Sequence, residues 1–128
     1  RYPPVPMMVR QNSRAEVMRG RDVAPGAQIV LSPWHLHRHE RLWQNPDGFD
    51  PDRWQTAAGR ASASHGYMPF SGGPRVCIGA GFAMVEGVVL IAGLVRAFRL
   101  APEGPPPVPV AHLTVRARDG IRLRLTRR

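Results

Sequence analysis

Apolar and polar positions divide the chain into short alternating stretches, one long apolar run and proline-rich joints. Arg1-Tyr2-Pro3-Pro4-Val5-Pro6 cannot be regular helix, because three prolines in four positions hold the backbone extended. Met7 to Arg10 reads as a short strand. Glu16–Met18 and Gln28–Ser32 flank the turn-rich Gly20-Arg21-Asp22-Val23-Ala24-Pro25-Gly26 and read as a hairpin with a long loop. His39–Trp43 reads as one helical turn. Gln44 to Gly66 holds the breaker dipeptides Asn45-Pro46, Asp47-Gly48 and Asp50-Pro51, which predict an irregular functional loop wrapped over a scaffold. Ala80 to Phe98 is the one long helix expected. It is apolar all round, the mark of a buried helix. Its length approaches a bilayer span, but Glu86, Arg96, Gly87, Gly93 and the lack of aromatic anchors favour a protein interior. Pro102 and the Pro105–Pro109 run are expected to end it. Leu113–Arg118 and Ile121–Thr126 alternate apolar residues with arginine around Asp119-Gly120, which predicts a C-terminal hairpin with the arginines on a solvated face. No internal repeat is present.

Composition narrows the class. The 128 residues allow one core at most, and thirteen glycines with fourteen prolines, about a fifth of the chain, argue against a helix bundle. A hydrophobic content of 43% excludes wholesale disorder. No secretory signal segment is expected from the opening residues, and a single cysteine, Cys77, excludes a disulfide framework. The opening Arg-Tyr-Pro-Pro suggests a piece of a longer chain. The formal charge is +9, and all eighteen basic residues are arginine. That absence of lysine, with arginines spread from end to end, reads as proteome-wide bias rather than a phosphate-binding surface.

The chemistry concentrates at Phe70-Ser71-Gly72-Gly73-Pro74-Arg75-Val76-Cys77-Ile78-Gly79, which runs straight into the apolar helix. A lone thiolate that binds a metal cofactor needs backbone N–H groups and a helix N-terminus nearby. Glycines on either side let backbone and a flat cofactor approach, Phe70 can shield the sulfur, and Arg75 can reach an anionic group of the cofactor. Axial ligation of haem iron is one of the few metal roles open to a single cysteine, since zinc and iron–sulfur sites want more. The bland alternative is a buried structural cysteine at a helix start.

The segment resembles the haem-binding signature of the cytochrome P450 family, Phe-x-x-Gly-x-Arg-x-Cys-x-Gly, at Phe70, Gly73, Arg75, Cys77 and Gly79. Pro51-Asp52-Arg53-Trp54 is similar to the family's Pro-Glu-Arg-Phe element, with two conservative departures. His37-Arg38-His39 through Trp43 and Pro46 resembles the segment before it, and Tyr2-Pro3-Pro4 the stretch after the family's Glu-x-x-Arg helix. The resemblance covers nearly the whole chain as the C-terminal third of such an enzyme. It implies an α+β fold, mainly α with small β-sheets. Strands would occupy residues 1–36, a meander loop 37–66, the cysteine-ligand loop 67–79, a buried helix 80–98 and a C-terminal hairpin 99–128, as one segment of a larger domain.

The resemblance also implies roles. Cys77 would be the axial thiolate ligand of haem b (iron protoporphyrin IX), and so both the metal ligand and the catalytic residue. Phe70 would pack near the sulfur, and Gly73 and Gly79 would permit the tight loop. Arg75 and Arg10 would each neutralise a propionate. Arg53 would join the Glu-x-x-Arg pair, which is not in this sequence, and would cost several kcal/mol if buried unpaired. The implied activity is insertion of one atom of O2 into a small hydrophobic organic substrate. Electrons would come from a ferredoxin- or flavodoxin/reductase-type protein drawn to positive charge near the loop. A monomer without nucleic-acid partners, cytoplasmic, soluble and bacterial, is expected, and the fragment alone is expected neither to fold stably nor to turn over. Two other readings stay open: a haem-thiolate sensor without turnover, and a basic nucleic-acid-binding fragment. His35, His37 and His39 would share one side if extended, a possible metal site against a plain exposed segment. Trp43 and Trp54 read as anchors for the long loop.

Overall fold

The computed structural model describes residues 2–128. Eight short strands and three α-helices form two compact units. One takes in the chain up to Pro69 with Leu113–Val115, and the other Phe70–His112 with Arg116–Arg128. The mixture of helix and small sheets is the expected α+β class.

In the first unit, β1 (Met8–Gln11) lies antiparallel to β4 (Gln28–Leu31), with Arg10 opposite Ile29. Between them, β2 (Glu16–Met18) folds directly onto β3 (Arg21–Val23). The expected pairing of Glu16–Met18 with Gln28–Ser32 is therefore incorrect. Arg19 and Gly20 both take positive φ, 53° and 75°, making the two-residue turn whose twist suits a hairpin, so β2 is used up locally. A second turn, Ala24-Pro25-Gly26-Ala27, has Gly26 at φ +84° and returns the chain as β4. Buried Asn12 ties the second turn to the end of β1. Its side-chain amide donates to the carbonyls of Arg14, Val23 and Ala24, and its backbone exchanges bonds with Ala27 and Gly26.

α1 (Pro33–Leu36) starts where Ser32 accepts from the His35 N–H and Pro33 occupies the first turn. The turn expected at His39–Trp43 is present, with the His39 carbonyl accepting from Leu42 and Trp43, each at 2.9 Å. The stretch 44–66, expected to be irregular throughout, is mostly helical. A 3-10 turn over Pro51–Gln55 and α2 (Ala57–Gly66) fill all of it beyond Asp50 except Thr56. The Asp50-Pro51 breaker is a helix start: the Asp50 carboxylate accepts from the Asp52 N–H at 3.0 Å. Thr56 caps α2 by accepting from Gly59 at 2.9 Å. A Cβ on Gly59 would collide with the Arg53 carbonyl oxygen, so only glycine lets α2 pack this close.

The core of this unit is aromatic. Trp43, 5% exposed, is the one buried large hydrophobic among the described residues. Its ring meets Trp54 edge-on at 5.7 Å, and Trp54 lies 4.7 Å from Tyr67. The Trp43 indole N–H donates to the Leu36 carbonyl at 2.9 Å. The tryptophans anchor the loop as expected.

In the second unit, α3 (Ala80–Ala97) runs directly into β5 (Phe98–Pro102), which pairs antiparallel with β8 (Leu123–Arg127). β6 (Pro109–Ala111) neighbours β7 (Val115–Ala117), of which Arg116 and Ala117 belong to this unit. Leu113–Arg118 and Ile121–Thr126 therefore do not form a hairpin. Gly120, at φ +78°, does turn the chain, but each flanking strand finds its partner upstream. Leu100 opposite Leu125 and Phe98 opposite Arg127 give β8 a longer ladder than a local return would. Pro102 ends β5 and not the helix. α3 is apolar on all sides, yet no residue of it is buried, so the expectation of a buried helix fails within this chain. Sequence dictates the apolar surface, whereas covering it takes a partner element. By length and composition α3 is the one described helix that could cross a membrane.

Candidate functional site

The cysteine segment is a closed loop seated on the start of α3. The Cys77 N–H donates to the Phe70 carbonyl at 2.8 Å, and the Val76 N–H to Gly73 at 3.1 Å, completing a 3-10 turn over Gly73–Arg75. Gly73, at φ +63°, occupies the left-handed region that a side chain resists, and Ser71 reaches φ +66°. The Cys77 carbonyl accepts from Ala80 at 3.2 Å, so the thiol stands at the N-terminus of an eighteen-residue helix.

That thiol is free and exposed, with the apolar side chains of Ile78 and Phe82 bare close by in sequence. Gly79 has an ordinary helical-side φ of −83°, and a Cβ there would lie 3.8 Å from the sulfur, an ordinary contact. The loop itself does not require glycine at 79. What glycine leaves is room against the sulfur. A soft donor with open space beside it and apolar neighbours fits a flat, largely apolar group carrying iron. Phe70, Gly73, Arg75, Cys77 and Gly79 thus share one loop of the second unit, with Arg75 exposed at its rim. Arg10 belongs to the first unit, half-buried on β1, its guanidinium donating to the Val9 carbonyl at 3.0 Å.

Two residues of the first unit do more than their sequence positions announce. Arg53 donates to the carbonyls of Asp50, Gln44, Asn45 and Gly48, all within 3.0–3.1 Å. Its guanidinium staples the meander through these neutral carbonyls, next to a cavity of about 310 Å³ lined by Trp43, Asp50 and Ser62. The Pro-Asp-Arg-Trp run marked the residue but not these acceptors. His37, 7% exposed, closes α1 and accepts from the Met68 N–H through Nε2 at 3.0 Å, its ring 5.1 Å from that of Tyr67. Burial, helped by nearby positive charge including that of Arg38, lowers its pKa to about 4. No sequence signal distinguished it from its neighbours.

The three alternating histidines do not share a face, because the stretch is a helix end rather than a strand. His35 bonds Ser32, His39 accepts from the Arg41 N–H, and His37 points inward. Among the described residues no cluster of three His, Cys, Asp or Glu could hold a metal ion.

A family profile described as Cytochrome P450 matches residues 1–123. The chain is 42% identical over 128 residues to human Cytochrome P450 4A11, covering 98% of this chain and 24% of that protein. It is 42% identical over 126 residues to the pig protein named taurochenodeoxycholic 6 alpha-hydroxylase, covering 97% of this chain and 25% of the relative. The chloroplastic protein LUTEIN DEFICIENT 5 of Arabidopsis thaliana is 34% identical over 132 residues, with 99% and 22% covered. The crystal structure of a cytochrome P450DA heme domain superposes with a TM-score of 0.86 at 32% identity, covering 99% of this chain and 28% of that one. A cytochrome P450 named CYP102L1 gives 0.89 at 29% identity, with 99% and 29% covered. The chain spans about a quarter of the length of the curated relatives it matches. Those relatives come from mammals and a plant, so the expectation of a soluble bacterial protein finds no support among them. Loop geometry, sequence and fold agree: the chain belongs to the cytochrome P450 family, whose cofactor is haem b.

Proposed function

We propose that the chain is the haem-binding C-terminal portion of a monooxygenase that inserts one atom of O2 into a small hydrophobic organic substrate. The carrying observation is the exposed Cys77 thiol, set at the N-terminus of α3 by a loop closed on Phe70. Cys77 is the axial ligand. Phe70 shelters the sulfur, Gly73 makes the turn that presents it, and Gly79 leaves the space beside it. Arg75 and Arg10 neutralise the propionates. Thiolate-ligated haem, when bound, supplies the O–O cleaving chemistry. The pig relative's name, a hydroxylase, supports oxygen insertion as the reaction class.

Electrons come from a ferredoxin- or flavodoxin/reductase-type partner, drawn by the arginine excess of the chain. Distal proton delivery belongs to the rest of the parent protein, which acts as a monomer. The 128 residues alone are inactive. The test is the reduced, carbon monoxide-bound spectrum of the full-length parent. The expected band is the red-shifted one of thiolate-ligated haem, absent in Cys77→Ser. A histidine-type band in the wild type refutes the assignment.

A further inference from the structure

We propose that His37 is a positioning residue for the cysteine loop, holding the Met68 N–H, and so the backbone that leads into Phe70, only while its imidazole is neutral. The geometry carries this. The chain leaves α2 at Tyr67, whose N–H makes the last helical bond to Ala63, and turns extended at φ −104°, ψ 105°. The next amide, that of Met68, goes not to the helix but to His37 Nε2, thirty-one residues away in sequence. Two residues later comes Phe70, whose carbonyl receives the Cys77 N–H. One imidazole therefore fixes the chain at the point where it enters the loop.

An Nε2 that accepts carries no proton, so the ring proton sits on Nδ1. Protonation turns the acceptor into a donor facing another donor, and the bond is lost. Tyr67 lies against the ring, and nearby positive charge, including that of Arg38, the next residue, opposes protonation. Burial keeps the imidazole neutral at neutral pH and places release between the ordinary value of 6.5 and about 4.

This inference rests on Cys77 being the haem ligand, and the experiment separates the two. The thiolate-type band of the reduced, carbon monoxide-bound full-length parent is followed from pH 8 to pH 4 for wild type, His37→Gln and His37→Leu. Glutamine keeps an acceptor and does not titrate, whereas leucine has none. The wild type is expected to lose the band between pH 6.5 and 4, His37→Gln at least one pH unit lower, and His37→Leu to show at most half the band already at pH 8. The inference is overturned by a wild-type profile flat to pH 4, by wild type and His37→Gln falling together, or by a full band in His37→Leu at pH 8. It is overturned equally if His37→Gln at pH 8 is as depleted as His37→Leu. No thiolate band in the wild type at pH 8 overturns the ligand assignment itself.

Discussion

The backbone N–H of Cys77 donates to the carbonyl of Phe70 at 2.8 Å, closing the signature loop on itself immediately before α3. The sulfur is thereby fixed by backbone geometry. That bond lies wholly in the backbone and holds the sulfur at the start of α3 without a side-chain partner inside the loop. Each residue that shapes the loop makes its own prediction.

Gly73 sits at φ +63°, where a Cβ costs roughly 1–2 kcal/mol. Gly73→Val in the parent protein should lower the fraction of thiolate-ligated haem several-fold at fixed haem concentration. Gly79→Ala should do less to the apo loop, since its backbone is unstrained, and act mainly on haem affinity. Equal loss of apo stability in both variants, read by thermal melting without haem, would contradict this distinction.

Arg53 holds four meander carbonyls from one guanidinium, a fork that lysine cannot reproduce. Arg53→Ala should destabilise the parent by about 2–4 kcal/mol, and Arg53→Lys should recover less than half of that. Chemical denaturation midpoints give the answer. Full recovery by lysine would show that charge alone, rather than the carbonyl set, is what matters.

Trp43→Phe removes the indole bond to Leu36 and part of the contact with Trp54, at a cost of about 1–3 kcal/mol. Gly59→Ala should cost at least as much, because the new methyl meets backbone rather than a movable side chain. Melting temperatures that stay at the wild-type value would mean the aromatic core and the α2 contact are not the stabilising features they look to be.

Stability should also fall with acid. The His37 pKa is depressed on folding, from 6.5 to about 4, so the folded state binds a proton less readily than the unfolded one. The contribution is complete above pH 6.5 and lost as pH drops through about 4. Its size is on the order of 2–3 kcal/mol, and His37→Gln should flatten that part of the profile. An unchanged pH profile in the glutamine variant would locate the acid sensitivity elsewhere.

The sequence made the chemistry more legible than the pairing. The signature loop, the apolar helix and the tryptophan anchors follow from local patterns, because a thiol at a helix start and an all-apolar run need no knowledge of the rest of the molecule. Strand partners are less legible, because good local turns compete with other ladders. Arg19-Gly20 closed β2 on β3, leaving β4 for β1, and Phe98–Pro102 took β8 away from the Asp119-Gly120 turn. Asp50-Pro51 looked like a breaker and proved to be a cap with its first helical residue. His37 was invisible for a different reason: its acceptor role exists only through Met68, thirty-one residues on.

The isolated 128 residues should not stand alone. Trp43 is the one large hydrophobic buried among the described residues, and α3 is bare along its whole length. Calorimetry of the fragment should show no cooperative melt and titration no stoichiometric haem uptake. A sharp transition with tight haem binding would overturn that expectation.

The most direct test of the ligand is X-ray absorption at the iron edge of the full-length ferric parent. A sulfur atom in the first coordination shell of the wild type, replaced by lighter atoms only in Cys77→Ser, is the result this account predicts. An iron without sulfur in the wild type, or a sulfur shell that survives the serine substitution, would contradict it.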